Sequence, residues 1–102
     1  MKCSSYESFF ETISGKTRMK IITCLATGAK SVSEICASVK EEQSKVSHNL
    51  RKLLKCHFVD FKRSGKLKVY ELNKDTILPI LNLAEKHARK YCREECLHGS
   101  LS

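Results

Sequence analysis

Apolar positions in the first 40 residues recur three and four apart, which is the spacing of amphipathic helices. The pattern predicts a first helix over about residues 5–13, a second over about residues 16–27, and a third that begins at a capping residue, Ser31 or Ser33. The apolar stripes are Tyr6, Phe9, Phe10 and Ile13 in the first helix and Val32, Ile35, Cys36 and Val39 in the third.

A fourth helix is predicted from about Glu42 to Lys55, because four apolar residues in it fall on one stripe: Val46, Leu50, Leu53 and Leu54. We interpret this stripe as core packing. The polar side chains that remain face outward, and they are of the types that donate to phosphates and base edges. They are Gln43, Ser44, Lys45, Ser47, His48, Arg51 and Lys52.

Two stretches of strand character, about 58–62 and 67–72, flank a tight turn at Ser64-Gly65. A last helix is predicted from Asn73 or Asp75 to about Cys96, roughly residues 74–96, with Pro79 near its first turn. The order α-α-α-α-β-β-α predicts a mainly helical fold with a small β-hairpin. The predicted fold is a winged helix-turn-helix, with the helix-turn-helix at about 31–55 and the wing at about 58–72.

Charge is concentrated on these two elements. Residues 40–70 carry nine Lys/Arg against three Asp/Glu, a net +6 of the chain's +8. Four of the cations surround the hairpin tip: Lys62, Arg63, Lys66 and Lys68. A charge run alone is more often a solvated surface. Coincidence with a helix-turn-helix and wing instead favours binding to double-stranded DNA, with the helix in the major groove and the wing over the minor groove or backbone.

Length and composition narrow the alternatives. The 102 residues suit a single domain spanning 1–102 with a limited core, so we expect a homodimer through the helices at about 5–13 and 74–96. No export signal or membrane span is recognisable, which predicts a cytoplasmic protein with reduced thiols. No nucleophile, base or phosphate-loop motif supports an enzyme.

Six cysteines are unusual in a chain of this size. Cys92 and Cys96 stand one helical turn apart, so both sulfurs could hold one soft ion such as Zn²⁺, Cd²⁺, Cu⁺ or As(III). His98 and, from a partner subunit, Cys3 are further candidate ligands. Incidental surface thiols are an equally weighted alternative, and no cofactor is certain. Cys36 is expected in the core, and Cys56 under the wing.

Residues 9–72 resemble the ArsR/SmtB family of bacterial and archaeal winged-helix repressors. The resemblance is carried by TRMKIITCL, KSVSEI, SKVSHNLRKL and FVDFKRSGKLKVYEL, in this order and at these spacings. It implies a homodimeric repressor whose affinity for an imperfectly palindromic operator changes with a metal, metalloid or thiol oxidant. It also implies that six side chains face the major groove: Gln43, Ser44, Lys45, Ser47, His48 and Arg51.

Several positions depart from the family pattern. His57 stands where a small residue, often Gly, follows the recognition helix, and Ser31 and Ser33 replace the cysteines of the arsenic sensors. Asp75 and His87 are one residue too close for the zinc site of the last helix. Cys24 lies one position from the second-helix cysteine of persulfide-sensing relatives, which makes a thiol pair there a minor alternative.

Two functions of other classes stay open. One is a winged-helix module that binds a protein partner through the same surface. The other is a small metal-carrying thiol protein whose basic charge is incidental. Steep loss of duplex binding with added salt would favour DNA over a protein partner.

Overall fold

A computed structural model describes residues 6–91. The helices and strands follow one another as α1 Tyr6–Ser14, α2 Lys16–Leu25, β1 Lys30–Ser31, α3 Val32–Val39, α4 Gln43–Lys55, β2 Val59–Ser64, β3 Leu67–Leu72 and α5 Ile77–Tyr91. The predicted fold class, a mainly helical winged helix-turn-helix with a small hairpin, is confirmed. The predicted start of the first helix at residue 5 and the predicted end of the last helix near residue 96 fall outside the described residues.

The sheet has one strand more than predicted. β1 pairs antiparallel with β3, Lys30 opposite Tyr70 and Ser31 opposite Val69, so the strand order is β1-β3-β2. Two residues are too few to show a strand period, which is why the pattern missed it. β2 also runs on to Ser64, because the hairpin loop is only Gly65-Lys66. Gly65 supplies a positive φ of 66° at the first loop position, where two-residue hairpins favour glycine.

One hydrophobic core joins α2, α3, α4, the base of the hairpin and the start of α5. All four predicted stripe positions of α4 contribute, with Val46, Leu50 and Leu53 at most 1% exposed and Leu54 packed at the margin. Phe9 brings α1 to this core, since its ring centroid lies 5.1 Å from that of Phe58. The remaining fully buried side chains are Ile21, Ile22, Ile35, Val59 and Thr12.

The helix-turn-helix is closed by local hydrogen bonds. Ser31 is the N-cap of α3, and its hydroxyl accepts from the Glu34 backbone N–H while the Glu34 carboxylate accepts from the Ser31 N–H. α3 ends at Val39, and its C-cap Lys40 has a left-handed backbone (φ 58°) and is the first turn residue. A turn of three residues then leads to α4. The choice between Ser31 and Ser33 is settled in favour of Ser31.

The end of α4 sets the start of the wing. The Phe58 N–H donates to the Leu53 carbonyl at 2.9 Å and the His57 N–H to that of Leu54 at 3.0 Å, which is the Schellman pattern of helix ends. This pattern needs a left-handed residue, and His57 supplies it with φ 59°. The sequence departure at His57 therefore falls on a position where glycine is less strained.

Asn73 joins the wing to α5. Its backbone N–H donates to the Phe58 carbonyl, and its side-chain oxygen accepts from the N–H groups of Asp75 and Thr76. These are the hydrogen bonds of a helix N-cap, and the Ile77 N–H donates to the Asn73 carbonyl at 3.1 Å. The regular helix begins at Ile77, two to four residues after the predicted start at Asn73 or Asp75. Pro79 lies in the first turn, as predicted. No helix within residues 6–91 is long and apolar enough to cross a membrane.

Candidate nucleic-acid interface

The outward face of α4 is polar and accessible. Of the seven side chains predicted there, Ser47 is half-buried and the other six are exposed. The exposed side chains are those of Gln43, Ser44, Lys45, His48, Arg51 and Lys52. Residues spaced three and four apart on a helix share a face, which places Ser44, His48 and Arg51 in a row. Arg51 has no ion-pair partner among residues 6–91, so its guanidinium is available for a phosphate or a base edge.

Lys45 is instead held by an acid from the preceding turn. The Glu41 carboxylate lies 3.4 Å from the Lys45 Nζ and 3.1 Å from the Lys20 Nζ on α2. The hydrogen bond from Lys20, with the help of Lys45, holds the pKa of Glu41 below its ordinary value. Exposed ion pairs of this kind contribute little to stability, so Lys45 can exchange Glu41 for a phosphate at little cost.

The hairpin places its cations on two different faces. Arg63 lies opposite Lys68 and Phe61 lies opposite Tyr70, so these four side chains share one face of the wing. The Lys68 Nζ lies 4.7 Å from the centroid of the Phe61 ring, which steadies the ammonium group near the tip. Lys62 is on the other face, where it pairs with Glu71 at 3.5 Å. Lys66 stands in the loop and is exposed.

Sequence reasoning missed two residues beside this surface. Asn49 lies on the buried side of α4 and is only 8% exposed, although its side chain is an amide. Its oxygen accepts a long hydrogen bond of 3.5 Å from Arg18 on α2. A polar residue three positions after Val46, inside the apolar stripe, was the available signal.

A second surface of the molecule is apolar. The large exposed side chains of α1 and α5 are Tyr6 (89%), Phe10 (58%), Leu83 (65%) and Tyr91 (62%). Phe10 meets the Phe9 ring edge-on, with 5.1 Å between centroids, and turns its other side to solvent. Both helices therefore carry apolar surface that the described core leaves uncovered, as the sequence predicted for two dimerisation helices.

The thiols lie apart from the α4 face. Cys24 is 9% exposed and Cys36 is half-buried against the core, and both are free. Cys56, directly after α4, is half-buried and packs against the core. Cys3, Cys92, Cys96 and His98 lie outside the described residues.

No group of three or more His, Cys, Asp or Glu side chains within residues 6–91 is placed to hold a metal ion. The stretch that contains Asp75 and His87 is included in this range.

The model of the family described as "Bacterial regulatory protein, arsR family" matches residues 15–60. The HTH-type transcriptional regulator NmtR of Mycobacterium tuberculosis is 32% identical over 95 residues, which are 93% of this chain and 74% of that protein. A transcriptional repressor, the SmtB homolog of Synechocystis sp., is 26% identical over 82 residues, 80% of this chain. This chain spans 62% of that repressor's length.

Solved structures give the same likeness. The crystal structure of Mycobacterium tuberculosis Rv0081 superposes with a TM-score of 0.79 at 26% identity, covering 88% of this chain and 91% of that one. The solution structure of apo-NmtR has a TM-score of 0.70 at 30% identity, covering 81% and 70%.

Proposed function

This chain belongs to the ArsR/SmtB family of DNA-binding transcriptional regulators, and on that premise we propose that it is a homodimeric repressor of an imperfectly palindromic operator. The observation that carries the proposal is the exposed polar face of α4 beside a basic wing. A helix with Gln, Ser, His and Arg outward suits the major groove, where base edges present distinct donors and acceptors.

The two elements have separate roles in this proposal. Arg51 and His48 reach base edges from α4, while Lys45 and Lys52 neutralise phosphates at its margins. On the wing, Arg63 and Lys68 share one face and meet the minor groove or backbone, with Lys66 at the tip. Lys62 pairs with Glu71 on the other face, and we therefore assign it a smaller share of the binding.

Dimerisation provides a second recognition helix, α4 of the partner subunit. The exposed Tyr6, Phe10, Leu83 and Tyr91 would be covered by the same helices of a second copy across a two-fold axis. Two α4 helices then enter successive major grooves, about one helical turn of DNA apart. NmtR, the relative of highest identity named above, is described as a transcriptional regulator, in accord with this arrangement.

For the effector we propose a soft metal or metalloid ion held by Cys92 and Cys96, with Cys3 and His98 as further donors. The support is their sequence spacing, which suits thiolate ligation, together with the family. A Cys92→Ser/Cys96→Ser variant should bind DNA as the wild type does and should keep binding it when Zn²⁺, Cd²⁺ or arsenite is added. Release of DNA by the double variant on addition of these ions would place the sensing thiols elsewhere.

The recognition helix is tested with a duplex selected by the wild-type protein from a random library. Arg51→Ala should weaken binding to the selected duplex about 5- to 150-fold, since one base contact is worth about 1–3 kcal/mol. Lys45→Ala should weaken the selected and an unrelated duplex almost equally, because a phosphate contact carries no sequence information. Binding is measured by fluorescence anisotropy at fixed salt.

Lys16→Ala is the matched control, because it removes the same charge from an exposed position at the start of α2, away from α4, the wing and the two proposed dimerisation helices. Unchanged affinity of both α4 variants for the selected duplex would exclude this helix as the reader.

A further inference from the structure

Arg18 connects three helices through one guanidinium group. Its Nε donates to the Thr12 carbonyl at 2.7 Å and its Nη2 to the Glu11 carbonyl at 3.5 Å, both in the last turns of α1. Its Nη1 donates to the Asn49 side-chain oxygen on α4 at 3.5 Å. α1 carries the proposed dimer surface and α4 the proposed reading face, so one side chain on α2 touches both.

The contact with Asn49 is more than a helix cap. Carbonyls in the last turn of a helix lack partners within the helix, and a cation there is favourable. That role needs only Thr12 and Glu11. Asn49, however, is a buried amide inside an apolar stripe, and burying an amide is costly unless it is hydrogen-bonded. Its nitrogen donates to the Lys45 carbonyl at 2.8 Å, and its oxygen receives Arg18.

Gly15 leaves the space in which the Arg18 guanidinium lies. Its backbone, at φ −58° and ψ 133°, is a conformation that any residue adopts, so the backbone does not require glycine. A Cβ at this position would lie 2.5–2.8 Å from the Nη2, Cζ and Nε atoms of Arg18. The missing side chain is therefore what leaves room for the guanidinium.

We infer that Arg18, in the space left by Gly15, is a positioning residue that fixes the recognition helix α4 relative to the dimerisation helix α1. The inference rests on the proposed function of these two helices. A dimer recognises its operator only when its two recognition helices have the right spacing and orientation. Loosening the connection lowers affinity for the selected duplex and leaves the sequence-independent phosphate term in place.

The test is a cycle of variants scored by discrimination, the ratio of affinities for the selected and an unrelated duplex. Arg18→Ala and Gly15→Ala should each lower this ratio about tenfold, which is about 1.4 kcal/mol. The double variant should match either single one, because without a guanidinium an added Cβ displaces nothing. Arg18→Lys, which keeps the charge and loses the planar fork, should fall between wild type and Arg18→Ala.

The affinities of each variant are measured at a protein concentration at which sedimentation shows a dimer and circular dichroism shows a folded chain. If Arg18→Ala does not fold, Gly15→Ala and Arg18→Lys carry the test. An unchanged ratio in folded Gly15→Ala and Arg18→Lys overturns the inference, as does an additive loss in the double variant. A failure of the proposed function is distinguishable from this outcome. In that case Arg51→Ala also leaves the ratio of affinities for the selected and the unrelated duplex unchanged.

Discussion

The proposed dimer surface makes a prediction whose size follows from Phe10. This side chain is 58% exposed in the single chain. A phenylalanine buries about 150–250 Å² when fully enclosed, so about 120 Å² of Phe10 remains for a partner to cover. At about 25 cal/mol per Å² this area is worth about 3 kcal/mol in each subunit, and a two-fold axis counts it twice. Area burial of this kind is an upper bound.

Phe10→Ala should therefore raise the dimer dissociation constant by about two to four orders of magnitude, equivalent to about 3–5 kcal/mol. Phe10→Glu should raise it further, because a carboxylate would be buried without a partner. Sedimentation equilibrium over a range of concentrations measures this constant. Circular dichroism checks that each variant is folded, since the Phe9 ring contact of 5.1 Å is also lost.

Leu67→Glu is the matched control. Leu67 is as exposed as Phe10, at 59%, but it lies at the wing tip and not on α1 or α5. It should leave the dimer unchanged. A Phe10→Glu protein that dimerises as tightly as the wild type would refute the assignment of α1 to the interface.

Two further predictions concern stability. The hydrogen bonds from the Ser31 backbone and hydroxyl hold the pKa of Glu34 below its ordinary value, so its stabilisation is present above the unfolded pKa of about 4.3 and is lost as pH falls through the folded pKa. Glu34→Gln should thus lower the urea midpoint at pH 7 and have less effect at about pH 3; an equal loss at both would contradict the capping-box account. His57→Gly should raise the melting temperature by about 4–8 °C, because it relieves about 1 kcal/mol of left-handed strain at φ 59°. A lowered melting temperature would show that the His57 side chain stabilises the fold.

Local periodicity accounts for most of what the sequence could predict. The α4 stripe, a serine cap on α3 and a tight turn near Ser64-Gly65 are each determined by a few neighbouring residues. The structure has the stripe and the cap, at Ser31, and places the two-residue loop one position later, at Gly65-Lys66. The capping signal at Asn73 was correct, but residues 74–76 form a turn before the regular helix begins at Ile77. β1 was missed because its pairing with β3 joins residues about 40 positions apart.

The candidate site was predictable in its residues and not in their pairing. The sequence identifies the exposed polar side chains of α4 and the cations of the wing. It cannot show that Glu41 also pairs with Lys20, that Glu71 pairs with Lys62, or that Arg18 reaches Asn49, because each contact depends on how separate elements pack. These contacts change the expected share of each cation in DNA binding.

The central claim is that two copies of α4 occupy successive major grooves of one duplex, and guanine methylation protection measures this most directly. Guanine N7 lies in the major groove, where a helix would shield it from the reagent. On the duplex selected by the wild-type protein, the account predicts two clusters of protected guanines centred about 10–10.5 base pairs apart. Arg51→Ala should weaken both clusters together. A single cluster, or protection confined to minor-groove adenines, would contradict the account.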